Sequence, residues 1–375
     1  MSKSLILSVL SIAAALSVAC SPGPSFVRPE DFDSELDGGK TALYLIKGGD
    51  LAMQVTNYGC RVVTLFVPDR DGKPVDVVLG HDRLDEYVNY GKERFLGAVV
   101  GPVANRICGA SFRIGDTVYH LEKSHEGVGT LHGGFKGLDS VVWDLEEKTD
   151  SSITFHYLHA DGQEGFPGNL DIHLKYALTS DDSWTVSYRA TTDKTTPVNI
   201  TCHPYFNLSG EPGTTCEDYV LYVNGRHIIG IDGLDVIETP IPVEGTAFDY
   251  LEPHPARDAI HGDDGQIVRG NHGFDHNYVL DKAPGEFALD ATVYDPHSGI
   301  FLEVYSDQPG LQVYSGQYFT GEELGKGGAP LVKYGSITFE TQNFPDAPNR
   351  KSFPDPFLNP GELYSHECVY HFSTN

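Results

Sequence analysis

The stretch LDIHLKYAL, residues 170–178, alternates without a break: Leu170, Ile172, Leu174 and Tyr176 fall on one side of an extended chain, and Asp171, His173 and Lys175 on the other. Side chains of a β-strand point to alternate faces, so this period of two marks a strand lying half on a core and half in water. The same period recurs outward from it, in LAMQVTNYG (51–59), CRVVTLFVPD (60–69), DSWTVSYRAT (182–191), FALDATVYD (287–295), GIFLEVYSD (299–307) and LQVYSGQYF (311–319). Gly, Asn, Asp and Pro punctuate the runs at hairpin intervals, as in DRDGKP (69–74) and YDPHSG (294–299). No long stretch repeats at 3.6 residues, and the best helical candidates are short, such as RLDEYVNYG (83–91). The pattern predicts an all-β fold, a large antiparallel β-sandwich, without a fixed-period internal repeat.

Composition agrees with that class. The chain has 375 residues, 40% hydrophobic and 21% charged, with 20 Tyr, 19 Phe and 41 Gly, enough aromatic material for one large core joined by many turns. Its formal net charge of -27 repels phosphate backbones and anionic lipid headgroups, which argues against nucleic acid as a partner. The acidic residues are scattered rather than gathered in a tail, as on a solvated surface.

The N-terminus MSKSLILSVLSIAAALSVAC combines Lys3, an apolar run from Leu5 to Ala19 broken only by serines, and Cys20. This is the pattern of a secretory signal, too short for a comfortable membrane span. With the cysteine directly behind the apolar run it reads as a bacterial lipoprotein signal over residues 1–19, Cys20 being the lipidated residue; plain signal cleavage and a buried N-terminal helix are the alternatives. The expectation is an exported protein, periplasmic or at the cell surface and tethered to the membrane through Cys20. Residues 20–30 read as a Pro/Gly/acidic tether, and 31–375 as one sandwich domain. The other cysteines (Cys60, Cys108, Cys202, Cys216, Cys368) are odd in number and widely spaced without CxxC pairs, so neither a disulfide framework nor a zinc ribbon is expected.

Six segments set polar residues with catalytic potential beside Gly, Pro or aromatics: GPVANRI (101–107), TLHGGFKGLDSVVWD (130–144), NITCHPYFNLSG (199–210), GNHGFDHNYVL (270–280), LQVYSGQYF and ITFETQNFPDAPN (337–349). Each alone has an ordinary explanation. Arg106 reads as a surface arginine, His132 as a loop histidine beside two glycines, Gln312 as a residue on a solvated strand face, and His203 as a core histidine. His272, Asp275 and His276 are loosely spaced like metal ligands, but an extended chain sends Asp275 and His276 to opposite faces. Glu340 shares a strand face with Thr338 and Gln342, between Phe339 and Phe344, as if the strand ended at the mouth of a site.

Taken together and in order, ANRI (104–107), LHGG (131–134) with Trp143 following, HPYFNL (203–208), FDHNYVL (274–280) and ETQNFPDAPN (340–349) resemble the aldose 1-epimerases, or galactose mutarotases, over nearly all of the chain after the tether. The resemblance implies a galactose mutarotase-like supersandwich that interconverts the α and β anomers of aldohexoses such as galactose and glucose. Opening a hemiacetal takes a proton from the anomeric hydroxyl and gives one to the ring oxygen, so the chemistry is proton transfer and no cofactor or metal is called for. By the resemblance Glu340 is the base and His203 the acid, while Asn105, Arg106, His132, Asp275 and Gln312 bind sugar hydroxyls. An ordinary carboxylate near pKa 4.3 is ionised at neutral pH, and an imidazole near 6.5 beside it is partly protonated, as those roles need. Tyr205 and Phe206 are candidates for an apolar wall.

Three positions depart from the family pattern: Pro102 where arginine is frequent, Cys202 where asparagine is common, and S-G-Q-Y (315–318) in place of T-G-N-F. None removes a proposed proton-transfer group. The competing readings are a non-catalytic cell-surface carbohydrate-binding sandwich and a glycoside hydrolase. The hydrolase would need a second acting carboxylate about 5–9.5 Å from Glu340, for which Asp275 is the obvious candidate.

Overall fold

The computed structural model describes residues 25–375, so the signal segment 1–19 and Cys20 lie outside the described residues. The stretch expected as a tether over 20–30 enters them at residue 25; Ser25 and residues 28–30 are exposed, while Phe26 and Val27 pack against the fold. The Phe26 ring meets Phe66 edge-on at 5.0 Å, and Val27 exchanges two backbone hydrogen bonds, of 2.8 and 2.9 Å, with the side-chain amide of Gln54. Gln54 lies on a strand buried along its whole length; its Oε1 also accepts from Thr64 Oγ1 at 3.2 Å, and the N-terminal segment satisfies its NH2 group.

Strands β1 (Leu43–Gly48), β2 (Leu51–Thr56), β3 (Val62–Pro68) and β4 (Pro74–Asp76) form an antiparallel sheet in sequence order. The stretch RLDEYVNYG follows and supplies the short helix Leu84–Val88. Then come β5 (Asp144–Lys148), β6 (Ser152–His159), β7 (Leu170–Leu178), β8 (Ser183–Thr192), β9 (Val220–Val223), β10 (Gly225–Ile229), β11 (Ile241–Pro242) and β12 (His254–Pro255). The last are β13 (Asp275–Leu280), β14 (Ala288–Tyr294), β15 (Ile300–Ser306), β16 (Gly310–Tyr314), β17 (Thr338–Gln342) and β18 (Tyr364–Thr374). They build a nine-stranded sheet, β5-β6-β7-β8-β18-β15-β14-β9-β12, and a five-stranded one, β11-β10-β13-β16-β17.

All seven period-two runs are strands. In β7 the apolar face of 170–178 is buried and the polar face is not. β5, with sequence DLEEK, escapes that pattern because it is exposed along its whole length. It is an edge strand, and charge at an edge discourages pairing with another chain.

One continuous core joins the sheets. It contains Ile172, Tyr176, Val186, Leu302 and Tyr370 of the long sheet, Val55 and Leu65 of the first, and Leu311, Val313 and Phe339 of the five-stranded one. Two tyrosines tie the layers with their hydroxyls: Tyr176 of β7 donates to the Cys60 carbonyl at 3.0 Å, and Tyr370 of β18 to the Phe339 carbonyl of β17 at 2.9 Å. Because Leu311, Val313 and Phe339 face this core, the alternate residues of β16 and β17 point away from it.

Candidate active site

Those alternate residues begin the site. Gln312 of β16 and Glu340 of β17 are direct cross-strand partners, and on β13 Asp275 stands opposite Tyr314, two positions along from Gln312 on the same face. Gln312 Nε2 donates to Asp275 Oδ1 at 2.8 Å, and an Arg106 guanidinium nitrogen lies 3.4 Å from Asp275 Oδ2. Gln312 and Glu340 are each 2% exposed, so the solvated strand face expected for Gln312 does not exist; loops cover it. His276 goes to the opposite face, as the period of two requires, against Phe248 and Gln266.

Two covering loops hold each other. Asn105 and His132 both adopt left-handed backbone, with φ 61° and 50°, a region that asparagine and histidine tolerate better than most residues. The Asn105 amide donates to His132 Nδ1 at 3.1 Å, the His132 amide to the Asn105 carbonyl at 2.9 Å, and the Arg106 amide to Asn105 Oδ1 at 2.9 Å. Since Nδ1 accepts, the neutral His132 ring carries its hydrogen on Nε2, free to meet a ligand. Gly133 follows at φ 88°, where a Cβ would sit 1.9 Å from the Gly101 carbonyl oxygen.

His203 comes from the end of the short strand Thr201–Cys202, which pairs with Val99–Val100. Its amide donates to the Ala98 carbonyl at 2.8 Å, and Pro204 then removes the next donor and ends the pairing. The imidazole lies between two nearly parallel rings, Tyr205 at 4.8 Å and Phe95 at 6.0 Å, with His132 edge-on at 5.4 Å. Its Nε2 is 3.4 Å from Glu340 Oε1.

Asn105, Arg106, His132, His203, Asp275, Gln312 and Glu340 all line one cavity of about 420 Å³. Four of these residues also carry a buried polar atom without a hydrogen-bond partner among the described residues: Arg106 Nε, His203 Nδ1, Gln312 Oε1 and Glu340 Oε2. Side chains that offer both donors and acceptors thus converge on one cavity.

The family model for aldose 1-epimerase matches residues 42–371 of this chain. The chain belongs to the aldose 1-epimerase family. It is 39% identical to the galactose mutarotase of Mus musculus, covering 90% of this chain and 95% of that protein. It is 32% identical to the aldose 1-epimerase of Escherichia coli K12, covering 88% and 94%. Among solved structures, an aldose epimerase homologue from C. elegans aligns with a TM-score of 0.81 at 25% identity over 89% of this chain and 99% of its own. The galactose 1-epimerase of Lactobacillus acidophilus gives 0.77 at 26% identity over 91% and 97%.

In this member of the aldose 1-epimerase family, burial inverts the proton arrangement expected for the proposed acid and base. It lowers His203 to about 3, helped by the Arg61 charge, and raises Glu340 well above the usual carboxylate range, with Asp275 adding to the rise and Arg106 opposing it. Both shifts favour the neutral carboxyl and the neutral imidazole over the ion pair. Burial raises Asp275 too, against the pull of Arg106, and it lowers His132 well below 6.5, with His203 next in effect. Atoms of His132, His203 and Glu340 lie within 4.8 Å of one another, but with its hydrogen on Nε2 the His132 ring is set to donate to a sugar oxygen rather than to ligate a metal ion.

Of the departures from the family pattern, Pro102 and Cys202 stand clear of the cavity. Cys202 lies beneath it, met by the hydroxyls of Tyr188 at 2.9 Å and Tyr176 at 3.2 Å. In S-G-Q-Y, Gln317 is structural, donating to the Gly270 carbonyl at 2.7 Å, whereas Tyr318 lines the cavity. The wall expected from Tyr205 and Phe206 comes only from Tyr205; Phe206 packs in the core against Tyr370 and Phe372. Sequence reasoning missed Glu93, Phe95 and Tyr314, which also line the cavity. Tyr314 was within reach, since it is the next residue on Gln312's face of β16. Glu93 and Phe95 sit in ERFLG, a stretch without period or motif.

Proposed function

We propose that this isomerase interconverts the anomers of aldohexoses such as galactose and glucose, with Glu340 and His203 moving the two protons. The observation that carries the reading is the convergence of Arg106, His132, His203, Asp275, Gln312 and Glu340 on one cavity, with His203 Nε2 3.4 Å from Glu340 Oε1. A neutral polyol offers both donors and acceptors on every hydroxyl, which is what a mixed set of donors and acceptors demands. Asn105, Arg106, His132, Asp275 and Gln312 bind and orient the ring.

A protonated Glu340 with neutral His203 and an ionised Glu340 with protonated His203 contain the same number of protons. A sugar hydroxyl that donates to Glu340 favours the ionised carboxylate, and the carboxyl proton passes to His203. From that state Glu340 takes the anomeric proton while His203 protonates the ring oxygen. The open aldehyde turns about the bond between its first two carbons and closes on the other face, with both transfers reversed.

The test is the optical rotation of freshly dissolved α-D-galactose and α-D-glucose with wild type and Glu340→Gln. Wild type accelerates the approach to equilibrium and Glu340→Gln loses about 10²- to 10⁴-fold of that acceleration. A wild-type rate equal to buffer with both sugars refutes the activity, and full activity in the variant refutes the base. New reducing ends from an oligosaccharide would favour a hydrolase instead.

Export and lipidation of Cys20 belong to the same proposal, supported by Lys3, the apolar run and the cysteine behind it. Incorporation of a labelled fatty acid into wild type but not Cys20→Ala is the expected result; equal labelling refutes it.

A further inference from the structure

A second cluster of titratable groups, sharing no residue with the cavity lining, lies on the half-exposed face of the nine-stranded sheet. His156 of β6 and His173 of β7 are direct cross-strand partners, their rings 4.9 Å apart, and Asp171 stands two residues before His173 on the same face. His156 Nε2 is 2.5 Å and His173 Nε2 3.8 Å from one oxygen of Asp171. The third strand contributes through an irregularity. The register of β5 on β6 shifts between Leu145 and Glu147, so Glu146 is the extra residue of a β-bulge, and its carboxylate lies 2.8 Å from His173 Nδ1. Bulges re-aim side chains at sheet edges, and here the re-aimed group reaches past its neighbouring strand to the next one.

We propose that His156, Asp171 and His173 form a site for one divalent transition ion of the zinc class, with Glu146 as the positioning residue that orients His173. Zinc binds imidazole and carboxylate at about 2.0–2.2 Å, which puts tetrahedral ligand atoms about 3.3 Å apart. The three ligand atoms here all lie within 4.8 Å of one another, and small side-chain rotations bring them to that spacing. A ligating histidine usually donates its other ring nitrogen to a carboxylate, which fixes the tautomer and ring plane. Glu146 at His173 Nδ1 does so, leaving Nε2 for the ion. Two nitrogens and one oxygen select zinc, copper or nickel over calcium or magnesium, and the side chains are between 32% and 48% exposed, open to ion entry and to a water as fourth ligand. The ion would join β5, β6 and β7 at the free end of the long sheet.

The experiment titrates the full protein with Zn²⁺ against a chromophoric chelator, and with Co²⁺ for the visible absorption of a tetrahedral site. It compares wild type, His156→Ala/His173→Ala and Glu146→Gln. Wild type takes up one Zn²⁺ that raises its Tm; the double variant loses that ion and that rise; Glu146→Gln binds about 10- to 100-fold more weakly. Mutarotation rates stay equal in all three, which shows the variants folded and separates the site from the cavity. Equal Zn²⁺ uptake by wild type and the double variant overturns the proposal, since the ion would then sit elsewhere or be adventitious. No uptake by wild type overturns it as well.

Discussion

At the scale of single residues, one proton shared between His203 and Glu340 decides how the site responds to pH. Burial lowers His203 to about 3 and raises Glu340 well above its usual range, shifts that favour a single proton held by the pair. kcat/KM is therefore expected to show no inflection near 6.5, where a free imidazole titrates; an inflection there would show that His203 takes its proton from solvent. The same burial predicts that Glu340→Gln is more stable than wild type while losing activity. Glu340's folded pKa is raised, so its favourable contribution is complete below the unfolded value near 4.5 and is lost as pH rises towards the folded value. The gain in Tm of Glu340→Gln should grow from pH 4.5 to 7, by a few degrees in a chain of this size. The types and order of these residues were legible in the sequence. Their protonation was not, because it follows from burial by loops that contact β13, β16 and β17 only in three dimensions.

At the scale of elements, the site depends on register and on a propped loop. Buried Asp139 receives Arg94 through two hydrogen bonds of 2.7 and 2.8 Å, with Arg61 at 3.6 Å, while Arg94 also donates to the Gly134 carbonyl and Arg61 to that of Leu96. These groups fix the LHGG loop and the strand entry beside Phe95. Asp139→Ala leaves two buried guanidiniums without their carboxylate and is expected to cost about 3–5 kcal/mol by urea denaturation. Gly133→Ala should lower the mutarotation rate through His132, because its Cβ would collide with the Gly101 carbonyl; an unchanged rate and Tm would show that the loop can shift. The period of two revealed β7 and β16, yet it could not tell a face on water from a face under loops. Gln312 was misread for that reason, and β5 was hidden because a strand exposed on every side has no periodicity to read.

At the scale of the molecule, burial of histidines sets the acid limit. His203 and His276 are lowered to about 3, His159 and His366 to about 4, and His132 well below 6.5, in each case chiefly by burial. A lowered histidine contributes fully above the unfolded value of about 6.5 and loses that contribution as pH falls towards the folded value. Raised carboxyls such as Glu340 and Asp290 gain as pH falls and offset part of this loss, so the urea midpoint should drop between pH 6.5 and 4 by the surplus from histidines such as His159, His276 and His366, each worth about 1.4 kcal/mol per pH unit. A midpoint that stays level over the range would mean these rings are protonated in the folded protein.

The position of β18 also has a consequence for how the protein is made. It lies between β8 and β15, at the middle of the nine-stranded sheet, although both neighbours precede it in sequence. A nascent chain leaving the ribosome thus carries two half-sheets with bare inner edges until residues 364–374 emerge. Up to that moment it is a client for chaperones and, if it bears an export signal, still loose enough to be threaded through a translocation pore.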